Sequence, residues 1–231
     1  MSEVDKNVQE NVVIGNFPLN YVALCGDVVD EPSFHHKTHD ESIYRFFVSV
    51  PRLNKEVLDT IPVEISDRVV DLTKIKAGNR VGIEGQYRSF NQPNENGKVS
   101  LKLFVFVKDV TFMDEEDLNQ NDYVNYVRLV GHLCKKPVYR KTPSGREISD
   151  VILAVNRIYG RSDYIPCIAW GRNSRYVSNL NVGDRIVVEG RLQSRKYRKK
   201  LETGVEEHIV YEVSTYKVVK VKVVKVDDEE V

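Results

Sequence analysis

Two stretches decide how this 231-residue chain is read: NYVALCGDVVDEP at 20–32 and NYVRLVGHLCKKP at 125–137. They align at a constant shift of 105, and the shift persists downstream. Gly78-Asn79-Arg80-Val81 meets Gly183-Asp184-Arg185-Ile186, and VGIEGQYRS at 81–89 meets IVVEGRLQS at 186–194. Between these, TIPVEISDR at 60–68 fits YIPCIAWGR at 164–172 with a shift of 104, so one loop absorbs a single residue. Glycines match at Gly26 and Gly131, Gly78 and Gly183, Gly85 and Gly190. A repeat of about 100 residues is far longer than a solenoid unit, so each copy is expected to be a domain. The copies are placed at 21–112 and 124–226, with an N-terminal extension at 1–20, a polar acidic linker at 113–123 and a short acidic tail at 227–231.

Each copy is written mainly in strands. Val127, Leu129, Gly131 and Leu133 alternate with Tyr126, Arg128, Val130 and His132, and Val22, Leu24, Gly26 and Val28 repeat the pattern in the first copy. Continuing along each copy gives five strand candidates and one helical stretch between the third and fourth, 66–78 and 173–183 respectively. Each helical stretch ends at a glycine suited to a helix C-terminus. That order is the order of the OB-fold, a small partly open barrel that commonly binds oligonucleotides or oligosaccharides. The expected class is all-β: two tandem five-stranded OB-fold barrels, each with one short helix between strands 3 and 4.

With 41% hydrophobic and 9% aromatic residues, disorder, collagen and coiled coil are excluded as descriptions of the chain. No long apolar run and no basic-then-apolar N-terminus is present, so neither a membrane span nor a secretory signal is read, and a cytoplasmic location is expected. Cys25, Cys134 and Cys167 form no CxxC pair; they read as buried, reduced thiols whose repeat partners are Val130, Val29 and Val63. His35, His36 and His39 lie in the first inter-strand loop without a nearby Cys, and no metal site is expected there. No Gly-rich phosphate loop, GxSxG or spaced carboxylate pair occurs, so no catalytic residue, no cofactor and no enzymatic activity is expected.

The zero net charge conceals an asymmetry: residues 1–120 carry net −7 and residues 121–231 net +7. The excess cations suit a polyanion. Arg195, Lys196, Arg198, Lys199 and Lys200 surround Tyr197 at the hairpin between the fourth and fifth strands, a loop OB-folds use to close over a strand. Cations that track phosphates, beside rings that stack bases, are the recipe of single-strand binders. A solvated basic hairpin is the plain alternative.

The second copy resembles the bacterial single-stranded DNA-binding proteins over nearly its whole length. The resemblance is carried by VRLVGHLCKKPVYRKTPSGREI, DVILAVNRIYGRSDYIPCIAWGR and VGDRIVVEGRLQSRKY, in the family's order. It implies an OB-fold that coats single strands in replication, recombination and repair, with stacking positions falling on Tyr159, Tyr164, Trp170 and Tyr197. Arg157, Arg161, Arg172, Arg195, Lys196, Arg198 and Lys199 neighbour these rings and are the expected phosphate contacts. Four assembled barrels in bacterial relatives imply a homodimer here, with replication or repair proteins as further partners; the tail's four acids lack the family's long linker and Pro-Phe tip.

The first copy fails the same test. Alignment sets Asn54, Asp59 or Thr60, Ile65 or Ser66, and Gln92 where the rings should be, so a structural role is expected, with Tyr87 and Phe90 as the material of a displaced site. The competing readings are an assembly adaptor whose basic face docks an acidic protein, and a primosome-type accessory gripping structured nucleic acid.

Overall fold

The computed structural model describes residues 18–54, 56–93, 97–113, 123–201 and 204–221, without the side chains between 198 and 206. Most of the N-terminal extension and of the linker, the acidic tail, and the side chains of Arg198 and Lys199 lie outside the described residues. The first copy contains β1 (Asn20–Val28), β2 (Ser33–Thr38), β3 (Glu41–Pro51), β4 (Leu58–Ser66), β5 (Arg80–Pro93) and β6 (Val99–Phe112). The second contains β7 (Val124–Leu133), β8 (Val138–Lys141), β9 (Glu147–Asn156), β10 (Ser162–Trp170), α1 (Arg172–Ser178), β11 (Arg185–Leu201) and β12 (Gly204–Lys220).

Five strands of each copy close a barrel. In the first the order β3-β4-β6-β5-β1 is closed by β1 pairing with β3, and in the second β9-β10-β12-β11-β7 is closed by β7 pairing with β9. Each barrel has one parallel pair, β4 with β6 and β10 with β12. The short strands β2 and β8 are additions to the expected five, pairing outside β3 and β9. Inward residues of the alternating pattern form the core, and repeat partners fill the same places: Leu24 and Leu129, Val48 and Leu153, Ile61 and Ile165, Val63 and Cys167. Burial pushes the Cys167 thiol far up, as suits an inert core residue.

Two of the glycine pairs are closure devices. A Cβ on Gly26 would meet the Ser49 carbonyl oxygen at 2.5 Å, and one on Gly131 the Ala154 oxygen at 2.4 Å, so the strands that close each barrel approach too tightly for any side chain. Gly85 and Gly190 sit at matching irregularities in the β5–β6 and β11–β12 ladders, where the strands bend around the barrel.

The third glycine pair corrects an expectation. Gly78 and Gly183, at φ near +87° and +88°, do not end helices. Their N–H groups donate to the Val28 and Leu133 carbonyls at 2.8 Å, fixing the turn into β5 or β11 against the end of the first strand. The helical stretch is real in the second copy, where α1 buries Ser174 and Val177. In the first it shortens to a single 3-10 turn at Leu72–Lys74, with Asp71 accepting from the Thr73 N–H. Val69, Val70 and Asp71 are weak helix formers, and Asp71 competes for the backbone.

The copies join through β1 and β7, antiparallel, with Val22 paired to its own repeat partner Val127. The junction is therefore a two-fold arrangement within one chain, in the sense of an isologous interface. Asn20 clamps the Tyr87 backbone with bonds of 2.7 and 2.8 Å, and Asn125 clamps Leu192 in the same way at 2.8 Å each.

Two reciprocal locks cross the junction. Asp59 of the first copy holds Arg52 through two bonds and accepts from the N–H and hydroxyl of Ser194 in the second, while Arg52 donates to the Ser194 carbonyl at 2.8 Å. Asp163 of the second copy holds Arg157 and accepts from the Ser89 N–H at 2.6 Å, while Arg157 donates to the Ser89 carbonyl at 3.0 Å. Both carboxylates are buried. Each is compensated by a guanidinium and by amide donors, the condition under which a buried charge is tolerated.

Candidate nucleic-acid interface

The outer face of the second barrel is laid out by strand alternation on β10. Asp163, Ile165, Cys167 and Ala169 point inward, leaving Tyr164, Pro166, Ile168 and Trp170 on one outward row. Tyr164 is 47% exposed, whereas Trp170 is half-buried with its indole N–H donating to the Ser214 hydroxyl of β12 at 3.1 Å. Ser214 pairs in turn with Arg191 of β11. With Ala169 inward the alternation along β10 is regular, so Trp170 shares a face with Tyr164.

Two further rings stand at the margins of this face. Tyr159 tops the β9–β10 hairpin, 97% exposed and at φ 72°, followed by Gly160 at φ 75°. A ring with no packing, on a backbone that side chains rarely adopt, is a feature that stability does not explain. Tyr197 lies where β11 and β12 extend beyond the barrel as a two-stranded arm, stacked on His208 with ring centroids 5.2 Å apart. Arg195 and Lys196 beside it are exposed. The structure thus sets Tyr164 and Trp170 on one face, with Tyr159 and Tyr197 on projecting hairpins.

The cations divide. Arg157 is bound into the junction lock by Asp163 and the Ser89 carbonyl, and its side chain, 26% exposed, also lines the first copy's groove. Arg161 lines the first copy's groove, and Arg172 is exposed at the start of α1, two residues from Trp170. Arg195 faces Glu212 at 3.7 Å and Lys196 faces Glu207 at 3.5 Å. Neighbouring Arg140 pairs with Asp150 through bonds of 2.7 and 3.1 Å. Glu212 was not foreseen. Burial raises its pKa from the ordinary glutamate value, Arg195 opposes the shift and Asp150 adds to it. Its signal in the sequence was faint: a lone acid between Tyr211 and Val213, in the part of β12 that lies over the barrel.

The first barrel's outer face carries different chemistry. Thr60 and Ser66 occupy the places of Tyr164 and Trp170, and Tyr87 is core, which removes it from any displaced site. Burial holds the Tyr87 hydroxyl well above its ordinary pKa. Phe90 does line a groove of about 650 Å3, together with Phe104, Phe106, Arg88 and, from the second copy's hairpin, Arg161 and Ser162. Arg88 lies over the Phe106 ring at 3.8 Å and its Nε is buried without a hydrogen-bond partner. Burial, and next the charge of Arg157, lower its pKa. At the mouth, His35 and His36 approach the buried Glu64, a grouping invisible in sequence because Glu64 arrives from β4; His39 stands outside it.

Comparison with known proteins agrees with this architecture. The Single-strand binding protein family matches residues 19–113 and again 124–221, and the chain belongs to that family. Single-stranded DNA-binding protein 1 of Staphylococcus aureus (strain COL) is 43% identical over 81 residues, 32% of this chain and 48% of that protein. Single-stranded DNA-binding protein A of Bacillus subtilis (strain 168) is 41% identical over 81 residues, 32% and 47% of the two chains. The chain spans about half the length of the curated relatives it matches. The wild-type single-stranded DNA binding protein from Thermus aquaticus superposes with a TM-score of 0.70 at 20% identity, covering 91% of this chain and 97% of that one, a likeness of fold. Among the described residues no helix is long and apolar enough to cross a membrane.

Proposed function

We propose that the chain binds single-stranded DNA with little sequence preference through the outer face of its second barrel, protecting exposed strands in replication, recombination or repair. The observation that carries this reading is the row of Tyr164 and Trp170 on β10, flanked by Tyr159 and Tyr197 on hairpins that also bear Arg195 and Lys196. Every base has a face to stack, so rings of this kind accept any sequence, while Arg161, Arg172, Arg195 and Lys196, with Arg198 and Lys199 further along the arm, neutralise phosphates. Membership of the Single-strand binding protein family supports the same reading.

The first copy acts as scaffold through the junction, and its Phe104–Phe106–Arg88 groove receives the strand as it leaves the β9–β10 hairpin. Support comes from Arg88, whose buried Nε has no acceptor, and from Arg161, which reaches the same groove from the second copy. No catalysis is assigned. Two chains associating as a homodimer in the cytoplasm would present four barrels to one strand.

Trp170 is the sole Trp and lies on the proposed face, so its fluorescence tests the reading. Oligo-dT is expected to quench it, with weaker binding at higher salt and no effect of a duplex control. Neither quenching nor retention of the oligonucleotide on a filter would overturn DNA coating in favour of an adaptor role. Retention without quenching would move the strand off Trp170 and onto the hairpin rings.

A further inference from the structure

We infer that the first copy binds one divalent ion of the zinc type through the Nδ1 atoms of His35 and His36 and the carboxylate of Glu64. The three donor atoms lie within 4.8 Å of one another, with the His35 and His36 nitrogens 2.7 Å apart and His35 3.6 Å from the Glu64 oxygen. Consecutive residues of a regular strand point to opposite faces, so two adjacent histidines should not converge. They do so here because the β2–β3 pairing slips between Phe34 and His36, leaving His35 as the extra residue of a bulge. Bulges of this kind re-aim side chains.

Glu64 supplies the second, independent argument. It is 2% exposed on the outward row of β4, at the place where the second barrel carries apolar Ile168. Burying a carboxylate there is costly unless it is compensated. Its ion pair with Arg45 supplies part of that compensation, and Arg45 comes from β3 directly opposite Glu64. That is also the arrangement of a metal-ligating carboxylate, which is normally oriented by an outer hydrogen-bond donor. Two imidazoles and one carboxylate with a further position open suit zinc better than calcium or magnesium, which prefer oxygen.

The geometry needs little adjustment. Ligands about 2.1 Å from a tetrahedral ion lie about 3.4 Å from each other, so the exposed imidazoles must part by under an ångström while the carboxylate moves nearer. An ion here replaces the contact between the two rings, in the groove that also holds Phe104, Phe106 and Arg161. It also adds positive charge to the copy that lacks it.

The test is zinc competition against a chromogenic chelator on the full chain, without DNA, so that its outcome is separate from the DNA-binding reading. Wild type should hold one equivalent. His35→Ala and His36→Ala, both at exposed positions, should each weaken binding by at least the factor of about 10 to 100 that loss of an outer-shell partner causes. Glu64→Gln should do the same, whereas His39→Ala and Cys134→Ser should bind as wild type. X-ray absorption should report nitrogen and oxygen neighbours and no sulfur. No retained zinc in the wild type, undiminished binding in the two histidine variants, or loss in Cys134→Ser would each overturn the assignment.

Discussion

The two barrels carry Thr60 and Tyr164, Glu64 and Ile168, Ser66 and Trp170 at matching outward places on β4 and β10, while Ile61 and Ile165, Val63 and Cys167 match inward. The inward set and the closing glycines must satisfy packing in both copies, and they remain alike. The outward set answers to whatever lies against the barrel, and there, Pro62 and Pro166 apart, the copies part. One face became a ring-bearing surface and the other a groove with a histidine pair at its mouth. The junction belongs with the inward set: Arg52, Asp59 and Ser89 of one copy repeat as Arg157, Asp163 and Ser194 of the other. Duplication preserved what holds two barrels together and freed what each presents to solvent.

The sharpest way to break this comparison is through the locks. Asp163→Ala removes the partner of Arg157 and the acceptor of the Ser89 N–H, and should destabilise the chain by about 3–5 kcal/mol in denaturant unfolding, as for other broken buried pairs. Asp59→Ala should cost a similar amount through Ser194. A loss below about 1 kcal/mol for either, the range of exposed pairs, would show that the locks are incidental to the junction.

The outward faces should diverge as strongly in binding. Alanine at Tyr164 or Tyr197 is expected to weaken oligo-dT binding by about 1–3 kcal/mol per ring, with unfolding little changed because both rings are exposed. Alanine at Thr60 or Gln92, the first copy's counterparts, should leave affinity as it is. Equal effects in both copies would abolish the proposed division of labour. A change of the same order is expected from Arg88→Ala, which takes one charged donor from the groove: about 1.5–3 kcal/mol if the strand reaches it, visible with long oligonucleotides and absent with short ones.

How far the sequence carried these conclusions follows from the same inward and outward distinction. Alternation around Val22, Leu24, Val127 and Leu129 announced the barrels, and Tyr164 and Trp170 stood out because rings on a half-buried strand are conspicuous. The first copy's helix shortens to a turn because, although Val69 and Leu72 have helical spacing, Val69, Val70 and Asp71 are weak helix formers. The part Arg157 plays in the junction was not legible, because a guanidinium near rings looks like a phosphate contact until its buried carboxylate is seen. The repeat did hold the clue: Asp59-Thr60-Ile61-Pro62 and Asp163-Tyr164-Ile165-Pro166 keep the acid while the next residue changes, as expected of a residue that works at the junction. His35, His36 and Glu64 could not be joined from sequence, because a bulge and a neighbouring strand bring them together.

The smallest effect concerns the acid on the second copy's face. Glu212 is nearly buried beside Arg195 from β11, with Asp150 from β9 and Arg140 from β8 nearby. Because burial raises its pKa above that of the unfolded chain, the folded state holds this proton more tightly. Its charge therefore costs stability above the raised pKa, and the cost falls away as the pH drops through it. The same protonation releases Arg195 and removes a negative charge from the path of the phosphates. Affinity for oligo-dT, whose bases do not take up protons in this range, should rise on acidification from neutral pH. Glu212→Gln should bind more tightly at neutral pH by about 1 kcal/mol or less and show a flatter pH profile, because the remaining Arg195 is half exposed and screened. Unchanged affinity in Glu212→Gln would place the strand away from Arg195 and confine the second copy's contacts to the β10 row.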